Sequence, residues 1–131
     1  MNTEILFRGA IVGTGIWVEG YLAKGIFDPE WVCIFTSERK FIQVIPESVG
    51  QFTGLLDKNG TKIFQGDVLK GDNFDKQMLV IWRKDLASFA LSAKGWLYDH
   101  YFGEAVDARN CEVIGNVFDN PELIGKEHDN A

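Results

Sequence analysis

The chain has 131 residues, 46% hydrophobic and 24% charged, with 19 acidic against 13 basic side chains and a net charge of −6. That composition is globular and excludes wholesale disorder, and the length suits one domain that builds a core without metal or disulfide staples. The acidic balance argues against a basic, phosphate-hugging protein.

Short apolar runs separated by turn residues predict a mainly β chain, because such runs are too short for ordinary helices. A first hairpin is expected between residues 6–12 and 16–22, closed by Gly13-Thr14-Gly15. In the second arm Trp17, Glu19 and Tyr21 share one face, and Ile16, Val18 and Leu22 share the other. Trp31-Val32-Cys33-Ile34-Phe35 and Phe41-Ile42-Gln43-Val44-Ile45 are β-branched and aromatic, which suits strands. Polar and turn residues at 46–50 mark a boundary. Asp57-Lys58-Asn59-Gly60 is the clearest hairpin signal, since Asn-Gly accepts positive φ at little cost, and it joins Leu55-Leu56 to Lys62-Ile63-Phe64. Gln65-Gly66-Asp67 turns the chain into Val68-Leu69. Met78-Leu79-Val80-Ile81-Trp82 reads as a strand buried on both faces. Ser88-Phe89-Ala90-Leu91-Ser92 alternates, and Lys94-Gly95 leads from it to Trp96-Leu97-Tyr98. Residues 99–107 offer a short helix. Residues 111–118 form a last strand, interrupted at Gly115-Asn116. Asn120-Pro121-Glu122-Leu123 starts a helical turn with Asn120 as its cap, and residues 125–131 form a flexible tail. The expectation is one domain over residues 1–131. Within it, 1–48 form an N-terminal β-hairpin subdomain and 49–124 a small barrel.

Cys33 and Cys111 are the only cysteines. Far apart in sequence, they read as two reduced, buried thiols of a cytoplasmic protein. The longest uncharged stretch, residues 9–18, is too short to span a bilayer and lacks the flanks of a secretory signal.

Recognisable reaction chemistry is sparse. His100 and His128 are the only histidines; the first sits between Asp99 and Tyr101 and the second in the tail, so neither is placed beside a nucleophile. No C-x2-C or H-x3-5-H pair exists to hold zinc. Gly13-Thr14-Gly15 lacks the third glycine of a dinucleotide fingerprint, Val18 standing in its place, and no Gly-Lys-Ser/Thr follows the later glycines. Asp67, Asp72 and Asp75 do not complete a calcium loop. Separated carboxylates such as Asp67 and Glu104 are the one route to an enzyme, acting on a sugar or nucleotide. The expectation is therefore no catalytic residue, no cofactor and no metal.

Four Trp, three Tyr and ten Phe are more informative. Trp96, Tyr98, Tyr101 and Phe102 cluster beside turns and are the candidate partner surface. The basic residues that a nucleic-acid groove would need are scattered, Arg83-Lys84 being the densest pair, and Asp85 follows it.

Three segments together resemble the YopX family of phage and prophage proteins. The first is Phe7-Arg8-Gly9 with Gly15-Ile16-Trp17-Val18-Glu19-Gly20-Tyr21-Leu22. The second runs from Gln51-Phe52-Thr53-Gly54-Leu55-Leu56-Asp57-Lys58-Asn59-Gly60 into Ile63-Phe64-Gln65-Gly66-Asp67-Val68. The third is Glu112-Val113-Ile114-Gly115-Asn116-Val117-Phe118-Asp119-Asn120-Pro121-Glu122-Leu123. Ala10 stands where family members often carry Lys, and residues 70–110 match only in character. The resemblance implies a mainly β fold with an SH3-like barrel in the second half, a phage-related origin and homo-oligomers. It implies no activity and no catalytic residues.

The functional expectation is a non-enzymatic accessory protein in the cytoplasm that binds itself and a host or phage protein, without a membrane. The alternative is a small β-barrel for single-stranded nucleic acid. A carboxylate enzyme ranks third.

Overall fold

The computed structural model describes residues 5–72, 76–96, 99–102 and 106–124. The protein is mainly β. Its strands form two antiparallel sheets, and the only helical elements among the described residues are three single 3-10 turns. Two compact units divide the chain, Met1–Gly54 and Leu55–Ala131. The division falls a few residues beyond the turn residues at 46–50.

The first unit holds β1 (Phe7–Ala10), β2 (Trp17–Lys24), β3 (Val32–Phe35), β4 (Phe41–Val44) and the start of β5 (Gly50–Leu56). They pair in the order β4-β3-β2-β1-β5. The Gly13-Thr14-Gly15 turn closes the first hairpin as the sequence predicts, with both glycines at positive φ. β2 is long because it serves two partners. Residues 17–20 pair with β1, and residues 21–24 pair with β3. At the change of partner Gly20 is required: a Cβ there would lie 2.1 Å from the carbonyl oxygen of Phe35. The far edge is tied back to β1. Ile11 and Val44 form a bridge, and the Ile45 N–H donates to the Ala10 carbonyl at 2.8 Å. Ser48, buried in the 3-10 turn Pro46–Ser48, accepts the Ala10 N–H at 2.8 Å.

The second unit begins with the end of β5, turns at Asp57 and continues into β6 (Lys62–Phe64). β7 (Asp67–Gly71), β8 (Gln77–Arg83), β9 (Ser88–Ala93), β10 (His100–Tyr101) and β11 (Cys111–Asn116) form a sheet in the order β10-β9-β8-β7-β11. No pairing among the described residues joins its two ends. As predicted, β8 is buried on both faces over residues 78–80, but Trp82 at its far end is 40% exposed. Met78 and Val80 enter one apolar cluster with Leu69, Leu91, Ile63 and Cys111. Leu79 and Ile81 enter the other with Val68 and Ile124. Alternation in β8 thus serves two cores instead of one core and solvent.

One local expectation is corrected and one is refined. Residues 99–107 are not helical where described: His100 and Tyr101 pair with Leu91 and Ala90 of β9, and Phe102 bridges Val106. Ladder pairing overrides the weak helical pattern there. Asn120 does stand at the N-cap of the turn Pro121–Leu123, its carbonyl accepting the Leu123 N–H at 3.0 Å, but its side chain makes no cap bond. Its Oδ1 accepts the Asn116 N–H instead, at 3.3 Å. The tail, 125–131, lies outside the described residues.

Candidate functional site: an aromatic sheet face

In the first unit, register decides what each face of β2, β3 and β4 presents. Leu22, Ile34 and Ile42 stand opposite one another on the core face, where Ile34 is fully buried. The other face carries Tyr21, Phe35 and Phe41 in one row, since Tyr21 pairs with Phe35 and Phe35 with Phe41. Directly opposed side chains project to the same side of a sheet. The Phe35 and Phe41 rings are 4.6 Å apart, and Phe27, from the loop after β2, meets Phe41 edge to face at 5.5 Å. An outer sheet face is ordinarily polar. Here Tyr21 is 65% exposed, Phe27 64% and Phe41 42%.

The row is set by its turn. Residues 36–40 close the β3–β4 hairpin, with the Thr36 N–H donating to the Lys40 carbonyl and Arg39 in the left-handed region. Phe35 and Phe41 are the residues that bracket this turn, and so they face each other. Cys33 lies on the same face two residues back and is buried.

At the β2 end of the row lies a groove of about 590 Å³. Ile5, Leu6, Tyr21 and Phe35 supply its apolar wall, and Glu19, Thr36 and Ser37 its polar groups. Glu19 shares the Tyr21 face of β2, as the alternation predicts. One further step along, the Arg8 guanidinium lies 4.7 Å from the centre of the Trp17 ring.

The aromatic cluster singled out from sequence behaves differently. Trp96 and Phe102 pack against the larger apolar cluster of the second unit. Trp96 lies against His100, with ring centroids 4.0 Å apart and the rings tilted at 48°. Tyr101 is 48% exposed. Tyr98 lies outside the described residues, as do Asp75, Glu104 and His128. The basic pair is engaged at Arg83, which donates to Asp85 and to Asp99, each within 3.0 Å.

The carboxylates of the second unit hold its turns. Burial alone would raise the pKa of Asp57. Backbone N–H donors from Val113, Thr61 and Asn59 overcome that, Lys58 adds to them, and the carboxyl is held below its ordinary range. The Val113 bond spans 56 residues and fixes the turn to β11. Asp67 is buried, and its Oδ2 accepts the Phe64 N–H at 2.7 Å. Cys111 is fully buried, and desolvation, followed by the nearby Asp72, Asp107 and Asp57, pushes its thiol up. Among the described residues no group of three metal-ligating side chains occurs, and no helix is long and apolar enough to cross a membrane.

The model of the YopX protein family matches residues 20–125. The chain belongs to the YopX family. The match takes in β3 and β4, most of the second unit, and the Asp57-Lys58-Asn59-Gly60 and Glu112-to-Leu123 motifs. Phe7-Arg8-Gly9 lies ahead of it. The fold is also similar to the crystal structure of protein EF1440 from Enterococcus faecalis, with a TM-score of 0.55 and 21% identity over 95% of this chain and 100% of that one. No curated protein matches the sequence.

Sequence reasoning placed Tyr21 and Glu19 on one face but missed Phe27, Phe35 and Phe41 as its neighbours. The signal was present in two phenylalanines bracketing a five-residue turn.

Proposed function

We propose that this YopX-family chain is a non-enzymatic protein-binding module that self-associates, with the aromatic face of β2–β4 as its contact surface. As an accessory protein of phage descent in a cytoplasm, it would use the same face toward a host or phage protein. The observation that carries the reading is the Tyr21–Phe35–Phe41 row, extended by Phe27. Aromatic side chains bring 150–250 Å² each, so the exposed parts of Tyr21, Phe27 and Phe41 amount to roughly 300 Å² of continuous apolar surface. The largest apolar patch on a typical monomer is about 300–600 Å² and is often functional, which makes this face the candidate contact surface. Rigid aromatic anchors are also the residues that carry most binding energy at interfaces.

Single-stranded nucleic acid fits less well. Stacking would be available, but the groove beside the row carries Glu19, and Arg83 is already bound to two aspartates. Among the described residues of the cluster predicted from sequence, Tyr101 is the exposed one, and it is a lesser candidate for contact.

Sedimentation equilibrium over a hundredfold concentration range tests the reading. Wild-type chain is expected to associate. A Tyr21→Ser/Phe27→Ser double variant is expected to weaken association at least tenfold with little change in Tm, because both residues are mostly exposed. Undiminished association of the double variant, or a wild type monomeric throughout, would reject this face.

A further inference from the structure

We propose that the groove beside Tyr21 receives a cationic side chain, an arginine guanidinium first of all, presented by the protein segment that lies along the aromatic face. This rests on the reading of that face as a protein-binding surface.

Volume and lining both point this way. About 590 Å³ is ample for one long side chain and falls in the size range of ligand clefts. Tyr21 and Phe35 form one wall as directly opposed residues. A planar cation stacks on such rings, and arginine does so more often than lysine. Glu19 is the one charged residue among those that line the groove, and Thr36 and Ser37 add hydroxyl acceptors. An apolar occupant would strip water from Glu19 and both hydroxyls without replacing it, which costs free energy. An anionic occupant would meet Glu19 head-on. A guanidinium satisfies both the rings and the oxygens.

The fold already uses this pairing on the same face, where the Arg8 guanidinium lies over Trp17. Glu19 stands opposite Arg8 in register. A carboxylate offers about four lone-pair sites, so contacts within the fold and an incoming guanidinium can share it.

Titration calorimetry on the whole chain tests the proposal with two acetylated, amidated tetrapeptides. One is Ala-Arg-Leu-Ala; the other carries citrulline, which keeps the shape of arginine and removes its charge. The arginine peptide is expected to bind at least tenfold more tightly. Glu19→Gln is expected to lower arginine binding at least tenfold and to leave citrulline binding unchanged. Equal binding of the two peptides, no binding of either, or an unaltered preference in Glu19→Gln would overturn the cation site. Should Glu19→Gln fail to fold, the two peptides on wild type still decide it. None of these outcomes touches the aromatic face itself, which stands or falls on the association of the Tyr21→Ser/Phe27→Ser variant.

Discussion

The two units spend their apolar residues differently. Among the described residues, the second unit buries fourteen hydrophobic side chains and the first buries five. Sheet β10-β9-β8-β7-β11 has an apolar cluster on each face, whereas β2–β4 has a core on one face and an exposed aromatic row on the other. Two dry faces give a unit whose sequence is occupied with its own stability. One dry face and one aromatic face give a unit with surface left over for recognition.

Four tests sharpen that contrast. The largest is Asp57→Ala in the second unit. It removes the acceptor of three backbone N–H groups, and hydrogen bonds to a charged group contribute about 1.5–3 kcal/mol each, so a loss of about 5 kcal/mol, near the low end of their sum, is expected in denaturant unfolding. The pH dependence follows from the direction of its pKa. A carboxyl held below its ordinary value stabilises the fold fully above the unfolded value and loses that contribution as pH falls through the folded one. The stability gap between wild type and Asp57→Asn is therefore expected to hold steady from about pH 5 to 8 and to shrink below about pH 4.

Next is Gly20→Ala in the first unit. Its new methyl would meet the Phe35 carbonyl, a backbone atom that cannot swing aside. Overpacking of this kind costs about 1–3 kcal/mol, and it falls where β2 changes partner beneath the aromatic row. Both stability and association are expected to drop, whereas Asp57→Ala destabilises without altering the contact face.

The third compares thiols. Cys33 and Cys111 are both buried, but Cys33 lies in the unit with the smaller core. Exchange with a disulfide reagent is expected to modify Cys33 first, through local opening. Cys111 should follow only on wider unfolding, its thiol raised by desolvation. Simultaneous modification would mean that the chain opens as one.

The smallest effect is expected for Arg83→Gln. Its ion pairs with Asp85 and Asp99 are partly solvated, and such pairs contribute little. Tm should move by no more than a degree or two in a thermal melt, and association should not change.

Much of this was legible in the sequence. The Asn-Gly turn, the doubly buried β8 and the alternating face of β2 follow from spacing alone, because turn chemistry and period-two patterns are local. The aromatic row was not legible, because it depends on which residue of β3 stands opposite which residue of β2. Only register supplies that. Trp96 and Phe102 illustrate the converse: aromatics dense in sequence look like a surface, yet the sheet they fold beside draws both against its core. The role of Asp57 was half visible. Its turn could be read, but the bond to Val113, 56 residues away, could not.

The most direct test is carbene footprinting of the whole chain at low and high concentration, with the labelled side chains read by mass spectrometry. If the first unit carries recognition, Tyr21, Phe27 and Phe41 lose labelling as the chain associates, and Tyr101 and Trp82 keep theirs. Protection of Tyr101 and Trp82, with the row still labelled, would place recognition in the second unit and contradict the account.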